Sequence, residues 1–367
     1  MIKILFLIHD LGHGGAEKVL VNLVNNMDRE KFDITVMALF GGGVNEQFLK
    51  PHIRYQTVFS RTFRGNSHLM KLLTPRQLHR RFIKERYDIE VSYLEGPSAR
   101  IISGCPDENT KLVSWIHCTM HSPEQVGRSF RNQREVAACY NRMDAVVCVA
   151  GTVRDAFLKH CAYTGKNMVL YNTNESGKIQ KKAAESIELF NAGFRWCGVG
   201  KITEGKGFDR MIRIQARLKA EGHQSRLYIL GEGPQREGLE QLAEEQGVLD
   251  TVTFLGYQTN PYKYVAKCDL FVCASFSEGF STAATEALIV GTPVCTVEVS
   301  GMKEMLGENN EWGIVTENDE EALYRGIKRL LDDPALLAHY KEKAAQRGKT
   351  FSTENTVRAV EEMLLNL

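Results

Sequence analysis

The chain has no stretch approaching the roughly 20 consecutive apolar residues of a spanning helix; its most apolar runs, Ile4 to Ile8 and Ala145 to Ala150, are far shorter. An excess of either charge is also missing. Lys plus Arg number 46 against 45 Asp plus Glu, a formal net charge of +1, so no global field gathers nucleic acid. The nine cysteines include no Cys-x-x-Cys pair, and an odd, scattered set argues against a disulfide framework or a zinc site and for buried, reduced thiols in a cytoplasmic protein. No Asp-x-Asp triplet is present to hold a metal against a diphosphate, and no low-complexity tract or internal repeat interrupts the chain. The opening residues MIKILFLIHD lack a small-residue cleavage site and run into a glycine-rich turn, so they are expected to form a first strand rather than a signal peptide.

What remains is the composition of an ordinary globular protein, 43% hydrophobic and 25% charged, with about two domains' worth of chain. Short β-branched runs alternate with longer amphipathic segments. Strands are expected at Ile2–Ile8, Asp33–Leu39, Ile89–Tyr93, Lys111–Ile116, Ala145–Val149 and Met168–Tyr171, with a helix over Gly15–Met27. A second series follows at Trp196–Gly200, Arg226–Leu230, Thr251–Leu255, Leu270–Ala274 and Pro293–Thr296. Helices are expected at 209–219 and 238–245, and three more, 319–331, 334–347 and 352–365, close the chain. This is α/β alternation, and it predicts two Rossmann-like, doubly wound domains facing across a cleft. The expected boundaries are residues 1–175 for an acceptor-binding domain, 176–190 for a polar, lysine-rich linker that acts as a hinge, and 191–348 for a donor-binding domain. Residues 349–367 form a final helix that packs back on the first domain.

Ligands of open parallel sheets lie beyond the carboxyl ends of the strands, which is where the glycine-rich loops of this chain fall. The loop GHGGAEK, with Gly14 and Gly15, joins the first strand to the first helix and could admit a phosphate to the helix N-terminus; a tight turn is the alternative. It is not a dinucleotide fingerprint, because Glu17 stands at the final glycine position and the second strand lacks an acidic end. In VGKITEGKGFD, Lys201 and Lys206 could converge on a diphosphate. At about 4 Å and an effective dielectric of about 20, each charge pair is worth about 4 kcal/mol before desolvation; ordinary solvated lysines are the alternative. In SFSEGFSTAATEALIVGTPV, Glu278 and Glu286 bracket a loop-to-helix junction that Ser281 or Thr282 can cap. The two carboxylates can reach different hydroxyls of one elongated ligand, the layout of a nucleotide sugar, although either could be a plain surface charge.

These motifs together resemble the retaining GT-B glycosyltransferases, in particular family 4 (glycosyl transferases group 1). The Glu-x7-Glu element followed by GTPV at Gly291 to Val294 carries the resemblance, supported by GGAEK, SWIHC, GKITEGKGFD, LGEGP and FLG in that order. The resemblance implies the GT-B fold and a catalytic set of His117, Lys206 and Glu278. The implied substrate-binding set is Gly14, Gly15, Lys201, Gly231, Gly256, Gly279, Phe280, Ser281, Thr282 and Glu286. In it Lys206 contacts the donor diphosphate, Glu286 the ribose and Glu278 the sugar hydroxyls, while His117 lies near the transferred sugar; a core histidine is the alternative for His117. Departures include Lys201, where the family usually has Arg, and Ser281, where Pro is common.

The implied activity is metal-independent, retaining transfer from a nucleotide sugar, UDP-sugars favoured, to a glycan or lipid-linked saccharide in surface polysaccharide or glycolipid assembly. The nucleotide sugar is a cosubstrate and no cofactor is expected. A nucleotide-sugar epimerase and a non-catalytic nucleotide-sugar-binding subunit are the alternatives. Between residues 61 and 86, eight Lys and Arg interleave with apolar residues against the single acid Glu85, which suits an anionic membrane surface at the inner face of the cell membrane. The alternative is a helix that packs its apolar side on the N-terminal sheet.

Overall fold

The computed structural model describes residues 1–12, 14–62, 70–187 and 193–367. They divide into two compact units, residues 1–174 with 353–367, and residues 175–352.

The N-terminal unit is built on seven parallel strands: β1 (Ile2–Ile8), β2 (Phe32–Phe40), β3 (Arg54–Phe59), β4 (Ile89–Ser92), β5 (Lys111–Ile116), β6 (Ala145–Cys148) and β7 (Asn167–Val169), in the order β3-β2-β1-β4-β5-β6-β7. Ile4 to Ile8 are wholly buried, as expected of a central strand covered by helices on both faces. Strand β3 was not expected. Its sequence RYQTVF sits at the sheet edge, half exposed, so it needs neither an apolar run nor strict alternation.

The C-terminal unit repeats the plan with β8 (Phe194–Val199), β9 (Ser225–Leu230), β10 (Val252–Gly256), β11 (Leu270–Cys273), β12 (Val294–Val297) and β13 (Ile314–Thr316), in the order β10-β9-β8-β11-β12-β13. Its core gathers Trp196, Ile212, Leu227, Leu270 and Leu323. The indole of Trp196 satisfies its polar edge by donating to Gln215 Oε1 at 2.9 Å. The three-residue edge strand β13 also escaped the sequence reading.

The segment expected as a linker corrects that reading. Ser176–Ala183 is a helix whose Ile179 and Ala183 are buried, and it packs on the helices Tyr262–Val265 and Thr282–Ile289. Asn260 Nδ2 donates to the carbonyl of Lys182 at 3.0 Å and to Glu185 at 2.8 Å. Lys178, Lys181 and Lys182 disguise a helix with one large apolar anchor. The helix Thr353–Leu365 belongs to the N-terminal unit, packs on helix Gly15–Asn26 and accepts the Asp28 N–H on Glu361 at 2.6 Å.

Candidate active site

The strand order of the C-terminal sheet reverses between β8 and β11, so the loops after these two strands flank the crevice where open α/β sheets bind ligands. Their backbones are fastened together. Phe276 N–H donates to the Gly205 carbonyl at 2.9 Å, and Gly207, in the left-handed region at φ 65°, lies so close to β11 that a Cβ would stand 2.1 Å from the Ala274 carbonyl oxygen. This staple sets Lys206 opposite Glu278, with Nζ 2.5 Å from Oε1. Ser275 Oγ donates to the same carboxylate oxygen at 2.7 Å. The ammonium and the carboxylate are 33% and 13% exposed, so the pair is only partly withdrawn from water. Lys201 is exposed on the same β8 loop, with no side-chain partner recorded among the described residues.

Ser281 caps the helix Thr282–Ile289, its Oγ accepting the Ala284 N–H at 3.3 Å. Burial of Ala284, Thr285, Ala287 and Leu288 leaves Thr282 and Glu286 together on the outer face, as a 3.6-residue period requires. Tyr262 hydroxyl holds Glu286 Oε1 at 3.1 Å. Phe280 points inward, its ring 5.9 Å from that of Phe351, so any contact it makes with a ligand comes from its backbone. The loops after β9 and β10 join the same end of the sheet. Gly231 N–H donates to the Gly256 carbonyl at 2.9 Å, and a Cβ on Gly231 would lie 1.8 Å from the Gly200 carbonyl oxygen.

In the N-terminal unit the reversal falls between β1 and β4. After β1, Asp10 accepts the Gly12 N–H at 2.7 Å, and Gly14 caps the first helix with no side-chain bond. The Glu17 carboxylate folds over Gly14, where a Cβ would stand 1.9 Å from it, while the space beside Gly15 is open. Burial raises the Glu17 pKa against the bond from its own backbone N–H, and nearby Asp10 adds to the rise. A phosphate at this turn would compete with that carboxylate. His13 lies outside the described residues.

His117 directly follows β5, with its ring centroid 4.9 Å from that of Tyr93 and 8% of its surface exposed. Desolvation pushes its pKa down to about 3, against a ring bond to the Tyr93 carbonyl that acts the other way. The imidazole is therefore neutral near pH 7, and Nε2 is buried without a partner among the described residues. A buried neutral nitrogen in that condition can accept a hydrogen bond from a ligand hydroxyl. Glu95, after β4, accepts the His117 backbone N–H at 3.0 Å and fixes the turn.

The sequence reading named neither Glu95 nor Ser275 nor Tyr262. Ser275 could have been suspected three positions before Glu278, but the other two meet their partners only through the tertiary fold. Of the basic segment, residues 63–69, including Arg64 and Leu69, lie outside the described residues. In helix Pro75–Phe82, Leu78 is buried and Phe82 sets its ring against Phe59, 5.6 Å between centroids, so its apolar side faces the protein. Arg76, Arg80, Arg81 and Lys84 remain as an exposed charged face, with Leu72 74% exposed beside it. No helix among the described residues is long and apolar enough to cross a membrane.

Two family descriptions match in tandem: Glycosyltransferase Family 4 over residues 13–173 and Glycosyl transferases group 1 over residues 182–347. The chain belongs to glycosyltransferase family 4. This GT-B glycosyltransferase is 29% identical, over the full length of both chains, to the N-acetylgalactosamine-N,N'-diacetylbacillosaminyl-diphospho-undecaprenol 4-alpha-N-acetylgalactosaminyltransferase of Campylobacter jejuni. It is 25% identical to the lipopolysaccharide core biosynthesis glycosyltransferase LpsD of Rhizobium meliloti, over 98% of this chain and 96% of that one. The fold matches the crystal structure of Anabaena HepE in complex with UDP, with a TM-score of 0.78 and 20% identity over both whole chains. The family 4 enzyme is thus a transferase, and the epimerase and binding-subunit readings are set aside.

Proposed function

We propose that this glycosyltransferase moves a sugar from a UDP-sugar, with retention of anomeric configuration, to a lipid-linked saccharide that carries a diphosphate. The observation that carries the reading is Lys206 held against Glu278 at the strand-order reversal of the C-terminal sheet, with Glu286 on the capped helix beside it. The UDP bound to HepE and the diphospho-undecaprenol acceptor named for the Campylobacter enzyme support the donor and acceptor classes.

In this reading Lys206, with Lys201 beyond it, neutralises the charge that grows on the departing UDP as the sugar–phosphate bond breaks. Glu278 and Glu286 accept hydrogen bonds from sugar and ribose hydroxyls. Backbone at Gly231 and Gly256 serves the nucleotide and that at Gly279 to Ser281 the sugar and phosphate, while Gly14 and Gly15 serve the phosphates and His117 the transferred sugar. The acceptor attacks the face the diphosphate leaves, and a diphosphate oxygen takes the acceptor proton. The charged face of Arg76, Arg80, Arg81 and Lys84 would meet anionic headgroups by charge, with Leu72 as its apolar contact.

The test is a panel of UDP- and GDP-sugars offered with a short prenyl-diphosphate saccharide, following nucleotide release and the product's anomeric configuration. Acceptor-dependent UDP release with an α-linked product from an α-donor is expected. A β-linked product, or activity confined to GDP-sugars, would overturn the reading. Cosedimentation with anionic vesicles at low salt tests the membrane face, and an Arg76→Glu/Arg80→Glu protein that sediments as well as the parent would remove it.

A further inference from the structure

His79, Glu90 and Cys105 converge inside the N-terminal unit, although cysteine spacing alone argued against a zinc site. Each comes from a different element: His79 from the helix Pro75–Phe82, Glu90 from the central strand β4, and Cys105 from the turn after the helix Pro97–Ile102. Their residues are 5%, 2% and 2% exposed. His79 Nε2 lies 2.8 and 3.1 Å from the two Glu90 oxygens, Cys105 Sγ lies 3.8 Å from Glu90 Oε1, and the three ligand atoms are all within 4.8 Å of one another.

We propose that these three side chains form a structural site for a zinc-class divalent cation. The geometry is close to what such an ion demands. With Zn–N and Zn–O near 2.0–2.2 Å and Zn–S near 2.3 Å, a tetrahedral centre sets its ligand atoms about 3.3–3.6 Å apart. The observed separations bracket that range, so side-chain shifts of roughly half an ångström bring the three onto one ion. The Asp107 carbonyl oxygen, 3.8 Å from Sγ, stands on the same turn as a fourth donor.

Charge points the same way. A thiolate, a carboxylate and a neutral imidazole around a divalent ion sum to zero, which is the condition a buried site must meet. Without an ion His79 pairs with the Glu90 carboxylate at 2.8 Å while Cys105 keeps only a long contact, so a bound ion takes the place of the proton in that pair. The mixed sulfur, nitrogen and oxygen set suits zinc rather than magnesium or calcium. The frame is also rigid. Gly104 approaches the start of the His79 helix so closely that a Cβ would stand 2.0 Å from the Pro75 carbonyl oxygen. Arg142 donates to the carbonyls of Ser103 at 2.6 Å and Cys105 at 2.9 Å, holding the turn from the other side. An ion there ties the basic helix to the central sheet and takes no part in sugar transfer.

The experiment uses the full chain, purified without a metal-affinity step under reducing conditions after growth in zinc-supplemented medium. Metal content is measured by plasma mass spectrometry, and the chelator-treated protein is titrated with cobalt(II). About one zinc per chain is expected in the parent, with zinc affinity at least tenfold weaker in Cys105→Ser and His79→Gln. Cobalt should give a thiolate charge-transfer band that Cys105→Ser lacks. Cys105→Ser is close to isosteric, so it keeps the test open if His79→Gln fails to fold. A folded parent that carries no zinc and binds neither ion overturns the site, as does a Cys105→Ser protein that binds zinc and cobalt as the parent does.

Discussion

Replacing Glu278 by glutamine should separate two jobs that the ion pair at 2.5 Å combines. Lys206 cannot meet an incoming diphosphate until it loosens its hold on Glu278, so the pair's free energy is subtracted from nucleotide binding. Exposed pairs are worth about 0.2–1 kcal/mol, whereas breaking a fully buried one costs about 3–5 kcal/mol. With 33% and 13% exposure this pair lies toward the lower end, at about 1 kcal/mol. Glu278→Gln keeps the shape and an oxygen for the Ser275 hydroxyl but frees the ammonium, so UDP should bind about fivefold more tightly. The sugar loses its charged acceptor, and turnover should fall. Lys206→Ala should do the reverse to the nucleotide, weakening UDP and lowering turnover about 10²-fold by removing one transition-state charge contact. Calorimetric titration with UDP and steady-state turnover of both variants measure the two effects. UDP binding weakened equally in both proteins would refute the competition, and full turnover in Lys206→Ala would remove that lysine from the reaction.

Three further substitutions test backbone strain and a buried imidazole. Gly231→Ala places a Cβ 1.8 Å from a backbone oxygen at a φ of 145°, so the β8 and β9 loops must part. The melting temperature should drop by the equivalent of about 3 kcal/mol or more, against about 1 kcal/mol for Gly222→Ala, which has positive φ but open space. Equal losses would show that backbone strain alone governs both. His117 is held neutral with its pKa near 3, so below about pH 6.5 the unfolded chain takes up a proton that the folded one refuses. Stability should fall as pH drops from 7.5 to 5.5, by about 1 kcal/mol more in the parent than in His117→Asn, read from denaturant unfolding of the N-terminal unit. Parallel pH profiles would contradict the burial of a neutral imidazole.

The parts of this architecture that show in the sequence are those whose signal is local. Strand β1 and the fully buried central strands declare themselves by apolar runs, and the Glu278–Glu286 spacing with its Ser281 cap marks a loop-to-helix junction. Edge strands β3 and β13 are hidden because one side of each faces solvent or the run is only three residues. Helix Ser176–Ala183 is hidden because its lysines outnumber its apolar anchors. The sequence motif proposes Lys206, but only the backbone contact between Gly207 and Ala274 shows what it faces. Glu95 under His117, Tyr262 on Glu286, and the His79, Glu90, Cys105 cluster join residues with no motif spacing between them.

The N-terminal unit draws on residues 353–367 as well as 1–174, with the Thr353 hydroxyl on the Asn174 carbonyl at 2.7 Å and Glu361 on the Asp28 N–H. A ribosome therefore releases everything needed for the second unit before the first has its last helix. Domains ordinarily fold in the order of synthesis. Here the earlier-made unit waits, with the flank of helix Gly15–Asn26 uncovered, until the later-made one has passed, so residues 353–365 act as the closing stitch of assembly. A chain stalled within residues 175–352 leaves its first unit unfinished.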